Sequence, residues 1–167
     1  MKEIMRIFSH ILFRPRYNTN KELRRFAANI RNKIILELGT GTDKLSAKRF
    51  FHRSNHFIQS DIFPPFEQID ITDFKVNNQY DVILCSNVLE HIYDHKKAIQ
   101  NIYAALKPKG RLFLFIPMFY PLHDEPYDYY RYTIHALKKL LYKFEICYKK
   151  HYGLRKYPFA YCLECVK

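Results

Sequence analysis

The run Lys33-Ile34-Ile35-Leu36-Glu37-Leu38-Gly39-Thr40-Gly41-Thr42 constrains this chain more than any other stretch. From Ile34 to Leu38 it is apolar at every position except Glu37, so it reads as a strand buried on both faces, the kind found in a parallel sheet covered by helices. The two glycines that follow let a ligand approach the backbone closely at the carboxyl edge of such a sheet, where doubly wound folds bind nucleotides. A dinucleotide turn of the G-x-G-x-x-G kind is not completed, because Lys44 holds the third glycine position. Asp43 stands where a G-x-G-x-G turn would have its last glycine. Two carboxylates, Glu37 and Asp43, would repel a pyrophosphate and suit a cationic nucleoside.

A second apolar run, His56-Phe57-Ile58-Gln59-Ser60-Asp61, reads as a strand ending in Asp61, twenty-four residues after Glu37. That is near the spacing at which an acidic group meets ribose hydroxyls in mononucleotide-binding α/β units. Two further passages follow: Tyr80-Asp81-Val82-Ile83-Leu84-Cys85-Ser86-Asn87-Val88-Leu89-Glu90-His91-Ile92 and Leu106-Lys107-Pro108-Lys109-Gly110-Arg111-Leu112-Phe113-Leu114-Phe115-Ile116-Pro117. Taken in order and spacing with ELGTGT, the YDVI…LEHI and LKPKG-RLFLF passages closely resemble class I S-adenosylmethionine-dependent methyltransferases. The resemblance runs from about Lys33 to Leu141, and His123-Asp124-Glu125-Pro126-Tyr127-Asp128-Tyr129-Tyr130-Arg131-Tyr132-Thr133 is similar to a loop in one branch of these enzymes.

The resemblance implies an α/β, Rossmann-like, doubly wound and mostly parallel sheet with an antiparallel edge strand. It implies S-adenosyl-L-methionine as methyl donor and S-adenosylhomocysteine as product. The donor's ammonium and sulfonium outweigh its one carboxylate, in keeping with the acidic turn. Glu37, Gly39, Gly41, Asp61, Ser86 and Asn87 are the expected cofactor-binding residues, and Asp73 joins them through the family's acidic residue after the third strand, beside the adenine amine.

The core is expected as a strand at 34–38, a helix over about 43–52 and a strand at 56–60. A short strand near 68–71, a strand at 81–86 and a helix after Asp94 that ends at Pro108-Lys109-Gly110 come next. A strand at 111–116, a helix opened by Thr133, and two last strands at 144–149 and 159–166 complete it. So few residues separate the third and fourth strands that the crossover helices must be trimmed. Residues 1–32 read as an N-terminal helical cap segment on a 33–167 methyltransferase core, a single domain overall. Apolar residues at Ile4, Ile7, Phe8, Ile11 and Leu12 make one helical stripe that Pro15 ends, and Thr19-x-x-Glu22 forms a capping box for a second helix.

Methyl transfer is an in-line displacement, so what it asks of a protein is mainly alignment and exclusion of water. The acceptor is expected under the loop after the fifth strand. His123 is the first candidate for a general base toward a hydroxyl acceptor and Asp124 the second, with Tyr129, Tyr130 and Arg131 as acceptor-binding residues. The same tyrosines and Arg131 can equally anchor the loop by stacking and ion pairing. No metal is expected. His91 and His95 lie four apart without a third ligand, and Cys162-x-x-Cys165 lacks a second pair and would point to opposite faces of a strand. Cys85 and Cys147 read as buried strand residues.

An excess of 28 Lys and Arg over 16 Asp and Glu gives a net charge of +12, which favours acidic partners. The acceptor is expected to be a small molecule, or a saccharide or lipid-linked precursor. RNA is the alternative, and a non-catalytic cofactor-binding protein is a third reading. The longest apolar stretches fall far short of a membrane span and no leader is evident, so a cytoplasmic protein is expected. Oligomeric state is open.

Overall fold

The computed structural model describes residues 15–167. Their strands are β1 (Ile34–Leu38), β2 (His56–Asp61), β3 (Glu67–Gln68), β4 (Tyr80–Ser86), β5 (Leu106–Pro117), β6 (Glu145–Leu154) and β7 (Tyr157–Val166), and their helices are α1 (Pro15–Ala27), α2 (His95–Ala105) and α3 (Ile134–Leu140). The strands form one sheet in the order β3-β2-β1-β4-β5-β7-β6. Pairing is parallel from β3 through β5, whereas β7 runs antiparallel to both β5 and β6. The expected doubly wound sheet with an antiparallel pair at one edge is the one that forms.

Strand periodicity sorts the core into two layers. Leu36, Ile83, Cys85, Leu112, Leu114, Leu163 and Cys165 face α2 and α3, where they meet Ala98, Ile102, Leu137 and Leu141. Ile35, Val82, Leu84, Phe113, Phe115 and Cys162 face α1, where they meet Leu23, Phe26 and Ile30. Cys162 and Cys165 therefore lie on opposite faces, as their spacing requires. Asp94 caps α2 by accepting from Lys97 N at 3.2 Å, and Thr133 caps α3 by accepting from Ala136 N at 3.2 Å.

Several elements differ from expectation. In place of a helix over 43–52 there is a single 3-10 turn, Ala47–Phe50. The Glu37 carboxylate accepts from Ser46 Oγ and Ala47 N, and Ser46 Oγ in turn accepts from Lys48 N, which caps the start of that short turn. Thr19 and Glu22 lie inside α1 and form no capping box, because Glu22 reaches across to Tyr148, Lys150 and Tyr152 of β6. Pro15 opens α1, a position that needs no N–H. The stripe at Ile4 to Leu12 lies outside the described residues.

The third strand comes earlier and is only two residues long. Asp70 folds its carboxylate onto Thr72 N and Thr72 Oγ1, both at 2.7 Å, and turns the chain away. Helix α2 stops at Ala105, ahead of the expected end, since Leu106 already pairs with Tyr80 and Lys107 precedes a proline. Cys147 is exposed, not buried. The β6–β7 register shifts between Ile146 and Tyr148, so Cys147 is the extra residue of a bulge on the edge strand.

Candidate active site

A cavity of about 1160 Å³ opens at the carboxyl ends of β1, β2, β4 and β5. Arg16, Tyr17, Asn20 and Leu23 of α1 form one wall, and Tyr120, His123, Asp124 and Tyr127 of the loop after β5 form another. The floor is the turn after β1. Gly39 and Gly41 hold φ of +64° and +68°, where a side chain is strained, and a Cβ on Gly39 would meet Val88 Cγ2 at 2.4 Å.

Two carboxylates fix this turn. Glu37 is buried and accepts from Thr40 Oγ1 at 3.4 Å, Ser46 Oγ at 2.5 Å and Ala47 N at 2.7 Å. Burial raises its pKa, and these hydrogen bonds oppose the rise. Asp61 accepts from Gly41 N at 2.8 Å and Phe63 N at 3.3 Å, tying the end of β2 to the glycine turn. Ser86 and Asn87 end β4 on the same cavity. Asn87 has φ +53°, and its N–H is held by the Phe115 carbonyl at 2.8 Å. Ile62, Phe63, Ile69 and Ile71 supply an apolar flank beside Asp61.

On the opposite side, His123 and His91 pack edge to face with ring centroids 4.7 Å apart. His123 Nδ1 lies 3.2 Å from both the Pro121 carbonyl and Asp128 Oδ2, and His91 Nδ1 lies 3.1 Å from the Tyr127 carbonyl. Against a carbonyl an Nδ1 can only donate, and in a neutral ring that leaves Nε2 as the acceptor. Burial depresses the His91 pKa. Asp124, with φ +53°, is largely exposed and brings Oδ2 to 4.0 Å from His91 Nε2.

Glu37, Gly39, Gly41, Asp61, Ser86, Asn87, His123 and Asp124 thus line one cavity. The other expected residues do not. Asp73 is exposed and paired with Lys75 at 3.1 Å, beyond the turn that Asp70 makes with Thr72. Asp43 is exposed and accepts from Gln59 Nε2 at 3.0 Å. Tyr129, Tyr130 and Arg131 serve the loop and not the cavity. Arg131 forks onto Asp128 at 2.6 Å through both nitrogens and donates to the Tyr120 and Pro121 carbonyls, Tyr130 OH donates to the Tyr93 carbonyl, and Tyr129 N and Tyr130 N donate to the Glu90 carbonyl. These contacts anchor the loop, as the alternative reading of the three residues has it.

Glu90 is not among the expected site residues, and the sequence sets His91 aside for want of a third ligand. His95 does not join His91; its ring packs on Tyr130 and Tyr132. Glu90 is completely buried, its pKa is pushed up to about 8 by burial, and neither carboxylate oxygen has a hydrogen-bond partner among the described residues. A charged residue inside the apolar frame Val88-Leu89-x-x-Ile92 was the available signal.

A family model for a methyltransferase domain matches residues 10–143. The chain belongs to this methyltransferase family. The class I S-adenosylmethionine-dependent resemblance carried by ELGTGT, YDVI…LEHI and LKPKG-RLFLF is borne out at that level. Ubiquinone biosynthesis O-methyltransferase of Haemophilus ducreyi is 34% identical over 65 residues, which cover 35% of this chain and 28% of that protein. The chain matches less than two fifths of the length of its first curated relatives.

Among solved structures, the N-methyltransferase NodS of Bradyrhizobium japonicum in complex with S-adenosyl-L-homocysteine superposes with a TM-score of 0.71 at 14% identity, over 90% of this chain and 86% of that one. A 1,6-didemethyltoxoflavin-N1-methyltransferase of Burkholderia thailandensis, bound to 1,6-didemethyltoxoflavin and S-adenosylhomocysteine, gives 0.69 at 16% identity, over 92% and 78%. At such identities the likeness speaks to the fold.

Proposed function

We propose that this chain binds S-adenosyl-L-methionine over the glycine turn and transfers its methyl group to a small-molecule, saccharide or lipid-linked acceptor held against the His91–His123 wall. One observation carries the reading: the glycine turn, Asp61 and Ser86–Asn87 converge on the same cavity as an acceptor wall that carries two histidines. The residues suit the donor. Asp61 can accept from a ribose diol while keeping its bond to Gly41, and the two glycines let the ligand approach the backbone of the turn closely. Ile62, Phe63, Ile69 and Ile71 offer apolar surface to an adenine ring, in place of the hydrogen bond expected from Asp73. Family membership and the bound S-adenosylhomocysteine in both structural neighbours support the same assignment.

When bound, the donor supplies an electrophilic methyl on a sulfonium. The protein's part is to align an acceptor with it and keep water out. Helix α1 acts as a cap on the 33–167 core, and its residues that face the cavity close the near side. A volume of about 1160 Å³ leaves room for a nucleoside-sized donor together with a small acceptor. If the acceptor is a hydroxyl, its proton is lost on the His91–His123–Asp124 side.

Calorimetry with S-adenosylhomocysteine should give saturable binding that Asp61→Ala weakens by about tenfold or more, in line with loss of a bidentate polar contact. Absence of binding at millimolar ligand would overturn the reading. The net charge of +12 supports a second reading in which the acceptor is RNA. Labelled methyl transferred into a fractionated cell extract separates the two: label in the low-molecular-weight or lipid fraction favours the first, and label in RNA favours the second.

A further inference from the structure

We propose that Glu90, His91 and His123 form a binding site for a divalent transition-metal cation on the acceptor side of the cavity. Their ligand atoms, one from each residue, lie within 4.8 Å of one another, close enough to meet on a single ion with small side-chain adjustments.

The three groups are prepared for a cation and for little else. His91 donates through Nδ1 to the Tyr127 carbonyl, and His123 Nδ1 faces the Pro121 carbonyl and Asp128. An outer carbonyl or carboxylate on one ring nitrogen, with the other nitrogen left as a lone pair, is how ligating histidines are oriented in metal sites. His91 Nε2 then faces Glu90 Oε1 at 3.9 Å and Asp124 Oδ2 at 4.0 Å, beyond hydrogen-bond reach, so neither contact satisfies these groups.

Glu90 supplies the independent observation. Its carboxylate is wholly buried, and no hydrogen bond reaches either oxygen among the described residues. A buried carboxyl without a partner costs free energy whether charged or neutral. Arg131, whose charge acts on Glu90, does not relieve this, because its guanidinium is already forked onto Asp128. A cation between Glu90 and the two imidazoles satisfies all three groups at once, and Asp124 stands within reach as a fourth, exposed ligand.

Two imidazoles and one or two carboxylates suit Zn²⁺, Co²⁺, Fe²⁺ or Mn²⁺, and the absence of thiolate argues against a soft ion. On the reading proposed above, an ion here would hold an acceptor through its oxygen atoms and lower the pKa of a hydroxyl to be methylated. That would reassign His123 from general base to ligand.

The site can be tested without methyl donor or acceptor, so its failure leaves the proposed function standing. Chelator-stripped full chain is titrated with Co²⁺ while the visible d–d absorption is followed, with Zn²⁺ as competitor. We expect saturation at one ion per chain, displacement by Zn²⁺, and weakening by about tenfold or more in Glu90→Gln and His91→Ala. Thermal melting controls for misfolding. Co²⁺ should raise the melting temperature of the wild type and not of Glu90→Gln, whose metal-free melting temperature, compared with that of the metal-free wild type, reports any loss of fold separately. No saturable absorption up to about 1 mM Co²⁺, or equal affinity in wild type and both variants, would overturn the site.

Discussion

Gly39 shows how tightly single residues govern the cleft. An alanine there would take a left-handed conformation and press its Cβ into Val88, so Gly39→Ala should lower stability by about 2–4 kcal/mol. Urea denaturation measures this. Adding Val88→Ala should restore the contact part and leave the backbone part, and a double variant no more stable than the single would place the whole loss in the backbone. Glu37→Ala should cost about 2 kcal/mol by releasing Ser46 and the Ala47 N–H, and it should weaken S-adenosylhomocysteine binding through a loosened turn. At this scale the sequence was legible in position more than in role. Glu37 read as an attraction for a positive ligand, and both of its oxygens turn out to be spent on its own loop. Asp73 lies outside the cavity lining, and a two-residue strand leaves no pattern by which to count where the chain turns. His91 and His123 are 32 positions apart in the sequence, and only the folded loop makes them neighbours.

Between elements, the strongest polar tie joins α1 to the β6–β7 pair. Glu22 accepts from Lys150 at 2.8 Å, Tyr152 at 2.5 Å, Tyr148 at 3.1 Å and Arg25 at 2.9 Å, and Arg25 and Arg111 both pair with Glu164. Burial alone would raise the Glu22 pKa, but the hydrogen bonds outweigh it and hold the group at about 2, below its ordinary 4.5. With the folded value depressed, the contribution is fully present above about 4.5 and is lost as pH falls toward 2. Guanidinium titrations across that window should show a fall of about 3 kcal/mol or less from this group, and Glu22→Gln should flatten that part of the profile while lowering stability at pH 7. An unchanged profile in the variant would mean that other carboxylates set the acid limit. The capping-box spacing at Thr19 and Glu22 hid this role, since a local pattern competes on paper with partners some 130 residues away. Helix α2 was legible because its cap, its apolar face and the following proline all agree. The expected helix at 43–52 is cut to one 3-10 turn whose start is tied to the buried Glu37 carboxylate of β1, a partner that its own sequence pattern does not show.

For the molecule as a whole, the apolar runs and their order were enough to read a doubly wound sheet, because parallel strands buried on both faces leave unbroken hydrophobic stretches. Hydrogen exchange should follow the same order, slowest in β4 and β5, whose side chains form both core layers, and fastest in exposed β3 and at the Gly153–Tyr157 end of the outer hairpin. Mass spectrometry of exchanged peptides would show it, and equal protection of β3 and β4 would contradict it. No helix among the described residues is long and apolar enough to cross a membrane. The loop after β5 is sewn to the turn that carries His91: Tyr129 N and Tyr130 N donate to the Glu90 carbonyl, and Tyr132 OH donates to the Leu89 carbonyl. That jaw of the cleft is fixed. Any yielding of the cleft to a guest then falls to its other margins, among them the one where Ile62 and Phe63 stand bare to water.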